Sequence, residues 1–103
     1  LVDIPLAILM NQNTASSAEI IASALQAYDR APLIGVPSFG KDTLQVVYLL
    51  QDQSSMQISG GRWWVPGTEL PHARQGLQPD YLVDPATGDP DPSLRKAIEI
   101  LFH

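Results

Sequence analysis

The order of its local signals constrains what this chain can fold into more than any single motif does. A short apolar run, Leu6-Ala7-Ile8-Leu9-Met10, ends in Asn11-Gln12-Asn13 and reads as a buried strand entering a turn. Apolar residues then recur at helical spacing (Ile20, Ile21, Ala24, Leu25 and Tyr28), which predicts a helix from Ser16 to Asp29. Pro32 and Pro37 bracket a second strand, Leu33-Ile34-Gly35-Val36. Val46 to Leu50 is apolar without alternation, as expected of a strand covered on both faces. Ser55 to Ser59 alternates with period two and should be half exposed. Gly60-Gly61 weakens that run before Arg62-Trp63-Trp64-Val65, and Pro66-Gly67 ends it. Pro79 to Val83 predicts one more short strand. Asp91 as N-cap and Pro92 at the first helical position open a last helix carrying Leu94, Ala97, Ile98, Leu101 and Phe102. The order β-α-β-β-β-β-α predicts an α/β fold, with helices packed on a mixed β-sheet.

At 103 residues the chain is expected to form a single domain, 1–103. Its mean hydropathy of zero is that of a globular protein. A net charge of −5 argues against nucleic acid or an anionic membrane surface as partner. With no cysteine there are no disulfides and no thiolate metal sites. The opening apolar stretch is shorter than the roughly 20 residues a bilayer span needs, and no basic segment precedes it. A start at Leu1 is compatible with a piece of a longer protein.

Two polar residues stand out against this frame. Ser16 lies at the start of the first helix, and Lys41 lies in the turn after the second strand. A hydroxyl at a helix N-terminus and an amine in a nearby turn are the parts of a Ser–Lys nucleophilic site. Each also has a plain structural reading. Ser16-x-x-Glu19 matches a capping box, and Lys41 between Gly40 and Asp42 fits a solvated turn lysine. His72 reads as an exposed loop residue. Of Trp63 and Trp64, adjacent on one strand, one is expected in the core and the other at a surface. Gly35 to Lys41 fits the first positions of a phosphate-binding loop, but Asp42 occupies the position that should be Ser or Thr. The segment after it is β-branched rather than helical, so no nucleotide is expected.

Asn13 to Ile20, Ala24 to Tyr28, Gly35 to Gln45, Gly61 to Gly67 and Gln75 to Asp80 together resemble the tail-specific, or carboxy-terminal processing, serine proteases. The likeness runs in order through most of the chain. It implies Ser16 as nucleophile, Lys41 as general base and Gln45 as the residue that orients the lysine. It also implies polypeptide substrates, no cofactor and no metal, and an extracytoplasmic location in the periplasm or cell envelope. Against the family pattern, Asp42 stands where glycine is usual after the lysine, and Ser17-Ala18 inverts the usual order after the nucleophile. A carboxylate beside the amine would oppose its use as a base unless it points to solvent.

A lysine serving as base near neutral pH needs a pKa of roughly 7–8 rather than about 10.4, a shift worth about 4 kcal/mol. Burial and the positive end of the first helix could both supply it. Backbone N–H groups at the helix start, that of Ser17 first, would meet the oxyanion. The resemblance further implies that the chain is the C-terminal portion of a catalytic core. The glycine pair that supplies the second oxyanion donor, the PDZ domain and the N-terminal parts would lie outside it. The isolated chain is therefore expected to be inactive and to self-associate through apolar surface. The alternative is a non-catalytic binding module on the same fold.

Overall fold

A computed structural model of the chain describes residues 3–63 and 76–102. The elements follow the order read from the sequence: β1 (Ile8–Met10), α1 (Ser17–Ala27), β2 (Leu33–Gly35), β3 (Thr43–Leu49), β4 (Ser55–Arg62), β5 (Tyr81–Leu82) and α2 (Pro92–Phe102). The fold is α/β, with parallel and antiparallel pairings divided between two sheets. β1, β2 and β5 form a parallel sheet in the order β1-β2-β5, and β3 with β4 forms a separate antiparallel hairpin.

The parallel sheet is the structural centre. Leu33 and Ile34 point to opposite faces of β2 and are both fully buried, so the sheet is covered on both sides. Met10, Ala22, Leu33 and Leu77 form the core cluster, with Ile8 packed against it. α2 packs on β1 and β2. Gly35 is required where β2 passes β1, because a Cβ there would stand 1.9 Å from the Met10 carbonyl oxygen, and its φ is +136°. α2 begins as its sequence predicts: the Leu94 N–H donates to Asp91 Oδ1 at 3.0 Å, an N-cap bond to the third helical residue.

Three expectations are corrected. The run at Val46–Leu50 is not covered on both faces; β3 is exposed from Leu44 to Leu49, and β4 is exposed along most of its length. A two-stranded ribbon has no second layer to bury its side chains, so an apolar run in it stays in contact with solvent. β4 also continues through Gly60-Gly61 to Arg62, with a register shift between Leu44 and Gln45 that absorbs Gly60. On α1 the buried residues are Glu19, Ala22 and Ser23, while Ile21 and Tyr28 face solvent at 61% and 78% exposure. The small Ala22 and Ser23 let the helix approach the sheet closely. The expectations for Trp64, His72 and the Pro66-Gly67 strand end fall outside the described residues. No helix among the described residues is long and apolar enough to cross a membrane.

Candidate active site

β1 and β2 are parallel, so the loops that leave their carboxyl ends emerge on the same side of the sheet. In open α/β sheets that edge is where sites are built. The loop after β1 leads to Ser16 at the start of α1, and the loop after β2 leads to Lys41. Local bonds shape the first loop: the Asn13 N–H donates to Asn11 Oδ1 at 2.8 Å, and the Asn11 N–H to Thr14 Oγ1 at 3.1 Å. The Phe39 N–H donates to the Thr14 carbonyl at 2.9 Å and ties the two loops together.

Ser16 has φ 55° and ψ −122°, in the left-handed half of conformational space where a side chain is strained. Ser16 and Glu19 face each other as a capping box, yet only one half of it has hydrogen-bond geometry. The Ser16 N–H donates to Glu19 Oε2 at 2.9 Å, while the Ser16 hydroxyl makes no capping bond. The hydroxyl is thus not consumed by the helix it opens. Ser17 is the first residue of α1, so its N–H belongs to the first turn, whose donors have no intrahelical acceptor.

Ser16, Ser17, Lys41 and Gln45 line one cleft of about 290 Å³, with Ile20, Leu44 and Trp63 as its apolar wall. All four residues singled out in the sequence therefore meet around a single space, although 29 positions separate the first from the last. The residues that line the cleft carry a hydroxyl, an amine and a carboxamide beside the donor end of a helix, which are the parts needed for attack on a carbonyl.

The turn that presents Lys41 is fixed on both sides. Its N–H donates to Glu19 Oε2 at 3.0 Å, and its carbonyl accepts the Trp63 indole N–H at 3.1 Å. The Asp42 carbonyl accepts the Trp63 backbone N–H at 2.9 Å. The Asp42 side chain does not point to solvent. It is buried, and its Oδ2 takes both the Nε (2.6 Å) and a terminal nitrogen of Arg62. The carboxylate that looked unfavourable beside the lysine is thus neutralised from the far strand of the hairpin. Neither Arg62 nor the buried Ser38 stood out in the sequence, because nothing in a linear pattern pairs them with the lysine turn. Glu19 was visible only as the third residue of a capping box. Among the described residues no group of three or more His, Asp or Glu side chains is placed to hold a metal.

The likeness to known proteins defines a class, the carboxyl-terminal-processing proteases. One of these, from Synechocystis sp., is 38% identical over 82 residues, which is 80% of this chain and 19% of that protein. The chloroplastic carboxyl-terminal-processing peptidase 1 of Arabidopsis thaliana is 36% identical over 86 residues, 84% of this chain and 17% of that one. Among solved structures, a photosystem II D1 C-terminal processing protease is similar with a TM-score of 0.70 at 31% identity, covering 94% of this chain and 24% of its own. The family model of peptidase family S41 matches residues 1–83. The chain belongs to peptidase family S41. It spans about a fifth of the length of these curated relatives.

Proposed function

We propose that the full-length protein is a serine endopeptidase that cleaves polypeptides near their C-termini, with Ser16 and Lys41 as its reacting pair. The observation that carries this reading is the strained Ser16, its hydroxyl free of the helix cap, on one cleft with Lys41 and Gln45. Ser16 Oγ attacks the peptide carbonyl carbon while Lys41 Nζ takes its proton. Collapse of the tetrahedral intermediate breaks the C–N bond, and the lysine returns the proton to the leaving amine. Water then hydrolyses the acyl-serine by the same exchange. The Gln45 side-chain oxygen holds the lysine nitrogen in line, and the Ser17 N–H donates to the developing oxyanion.

Because the 103 residues cover about a fifth of the relatives, the chain on its own is proposed to be inactive and to self-associate. An extracytoplasmic compartment is proposed for the full-length protein. The test is degradation of an unstructured polypeptide with an apolar C-terminus by full-length protein, beside Ser16→Ala and Lys41→Ala. Each variant is expected to lose about 10³-fold or more of the rate. A folded parent that binds such polypeptides without cutting them would instead make this a binding module.

A further inference from the structure

Glu19 is fully buried at 0% exposure, and four donors converge on it. Oε2 accepts the N–H of Ser16 at 2.9 Å and the N–H of Lys41 at 3.0 Å. Oε1 accepts the N–H of Gly40 at 2.7 Å and the hydroxyl of Ser38 at 2.5 Å. A carboxylate accepts about four hydrogen bonds, so its capacity is used in full. Three of the four donors are backbone groups, and among the described residues no cation pairs with it. A capping glutamate needs one bond and normally stays at the surface. Burial of this charge is costly, and a helix cap alone would not require it.

What the burial achieves is a single oxygen shared by the backbones of the two reacting residues. With bonds of 2.9 and 3.0 Å to that oxygen, the nitrogens of Ser16 and Lys41 lie no more than 5.9 Å apart. We propose that Glu19 is the positioning residue of the site: through Oε2 it sets the separation of nucleophile and base, and it holds Ser16 in its left-handed conformation, in which the hydroxyl makes no cap hydrogen bond. The inference rests on the Ser16–Lys41 reading given above. Its reach is mechanical, since Glu19 is engaged by three backbone N–H groups and the Ser38 hydroxyl.

Glutamine at this position keeps the volume but has one oxygen and one NH2 group. With its oxygen toward Ser16 and Lys41, the NH2 group meets the Gly40 N–H, donor against donor, and displaces the lysine turn. With the amide reversed, two such clashes arise. Ser38→Ala is the control. It removes a donor to Oε1 and the acceptor of the Leu77 N–H, so it weakens the fold, yet it leaves both Oε2 bonds in place.

The experiment uses the full-length protein and measures two quantities on folded samples. One is the rate at which a fluorophosphonate labels Ser16, and the other is kcat and KM for peptide cleavage. Glu19→Gln is expected to slow both labelling and kcat by about 10–100-fold, with KM within about two-fold, because small misplacements of reacting groups act on the rate of the chemical step. Ser38→Ala is expected to lower Tm while labelling stays within about three-fold of wild type. Wild-type labelling by folded Glu19→Gln would overturn the proposal. Should that variant not fold, Glu19→Asp is read in the same assay; its side chain keeps the charge but is too short to serve both loops, and a wild-type rate there overturns the proposal equally. Cleavage that survives in Ser16→Ala would instead remove the underlying Ser16–Lys41 reading, whatever the Glu19 variants do.

Discussion

Ser16 is held in a backbone conformation that a side chain resists and glycine adopts freely. Such strain persists only where the surroundings over-determine it, here through the N–H bond to Glu19 and the start of α1. A stability measurement separates the two consequences of the side chain. Ser16→Gly is expected to raise stability by about 1 kcal/mol, the strain relieved less the extra chain entropy of glycine, while Ser16→Ala gains nothing. Both remove the hydroxyl, so both are expected to be inactive in the full-length protein. Denaturant midpoints of the two variants check this; a Ser16→Gly variant no more stable than Ser16→Ala would mean the conformation carries no strain. At this scale the sequence showed which residues share the cleft and little of how they are held. The hydroxyl at a helix start and the lysine in a turn were legible from residue type and position. The left-handed φ of Ser16, the Arg62 partner of Asp42 and the fourfold engagement of Glu19 were not, since each depends on residues brought together only by folding.

The elements differ in how far their sequences determine them. α2 has an unambiguous start, with Asp91 and Pro92 in the preferred positions, and it forms over the residues expected. α1 forms as well, but its apolar period pointed to the wrong buried face, because a carboxylate satisfied by four donors and the small Ala22 and Ser23 pack inward. The hairpin is the element least legible in advance: an apolar strand run implies cover, yet whether a second layer exists depends on chain far away in sequence. Its far end nonetheless serves the site. Arg62, partly exposed, engages the buried Asp42, and Trp63 bonds the carbonyls on either side of that linkage. Arg62→Ala is expected to cost about 1–2 kcal/mol by leaving the Asp42 carboxylate unpaired, a figure reduced from that of fully buried pairs because the guanidinium reaches solvent. In a double-mutant cycle with Asp42→Ala the losses should fall short of additive by about 1 kcal/mol. Additive losses would show that the two side chains are not coupled.

The whole molecule is less compact than its length suggests. Its radius of gyration is 16.6 Å and its longest dimension 57 Å, against about 13 Å for the radius of a compact domain of 100 residues. The β3–β4 ribbon exposes Val46, Val47, Tyr48, Leu49, Met56 and Ile58, with Leu49 at 83% exposure. Val46, Tyr48, Met56 and Ile58 pair across the ribbon on one face, and contiguous apolar surface of this kind favours association. Sedimentation of the 103-residue chain is expected to show dimers or larger species at high concentration, shifted toward monomer by Tyr48→Lys. A clean monomer in the unsubstituted chain would count against it. The ribbon also has an uneven tolerance of changes in length. Near its tip, residues can be gained or lost in pairs without turning any side chain over. At Gly60 they cannot. This residue is the one absorbed by the register shift next to Gln45, and a Cβ on it would stand 2.8 Å from Val46 Cγ2. Removing it would rotate everything beyond to the opposite face, taking Arg62 away from Asp42. Among relatives and in engineered libraries, insertions and deletions should accumulate at residues 50–54 and be excluded at 60, a length constraint imposed on an exposed arm by the site at its base.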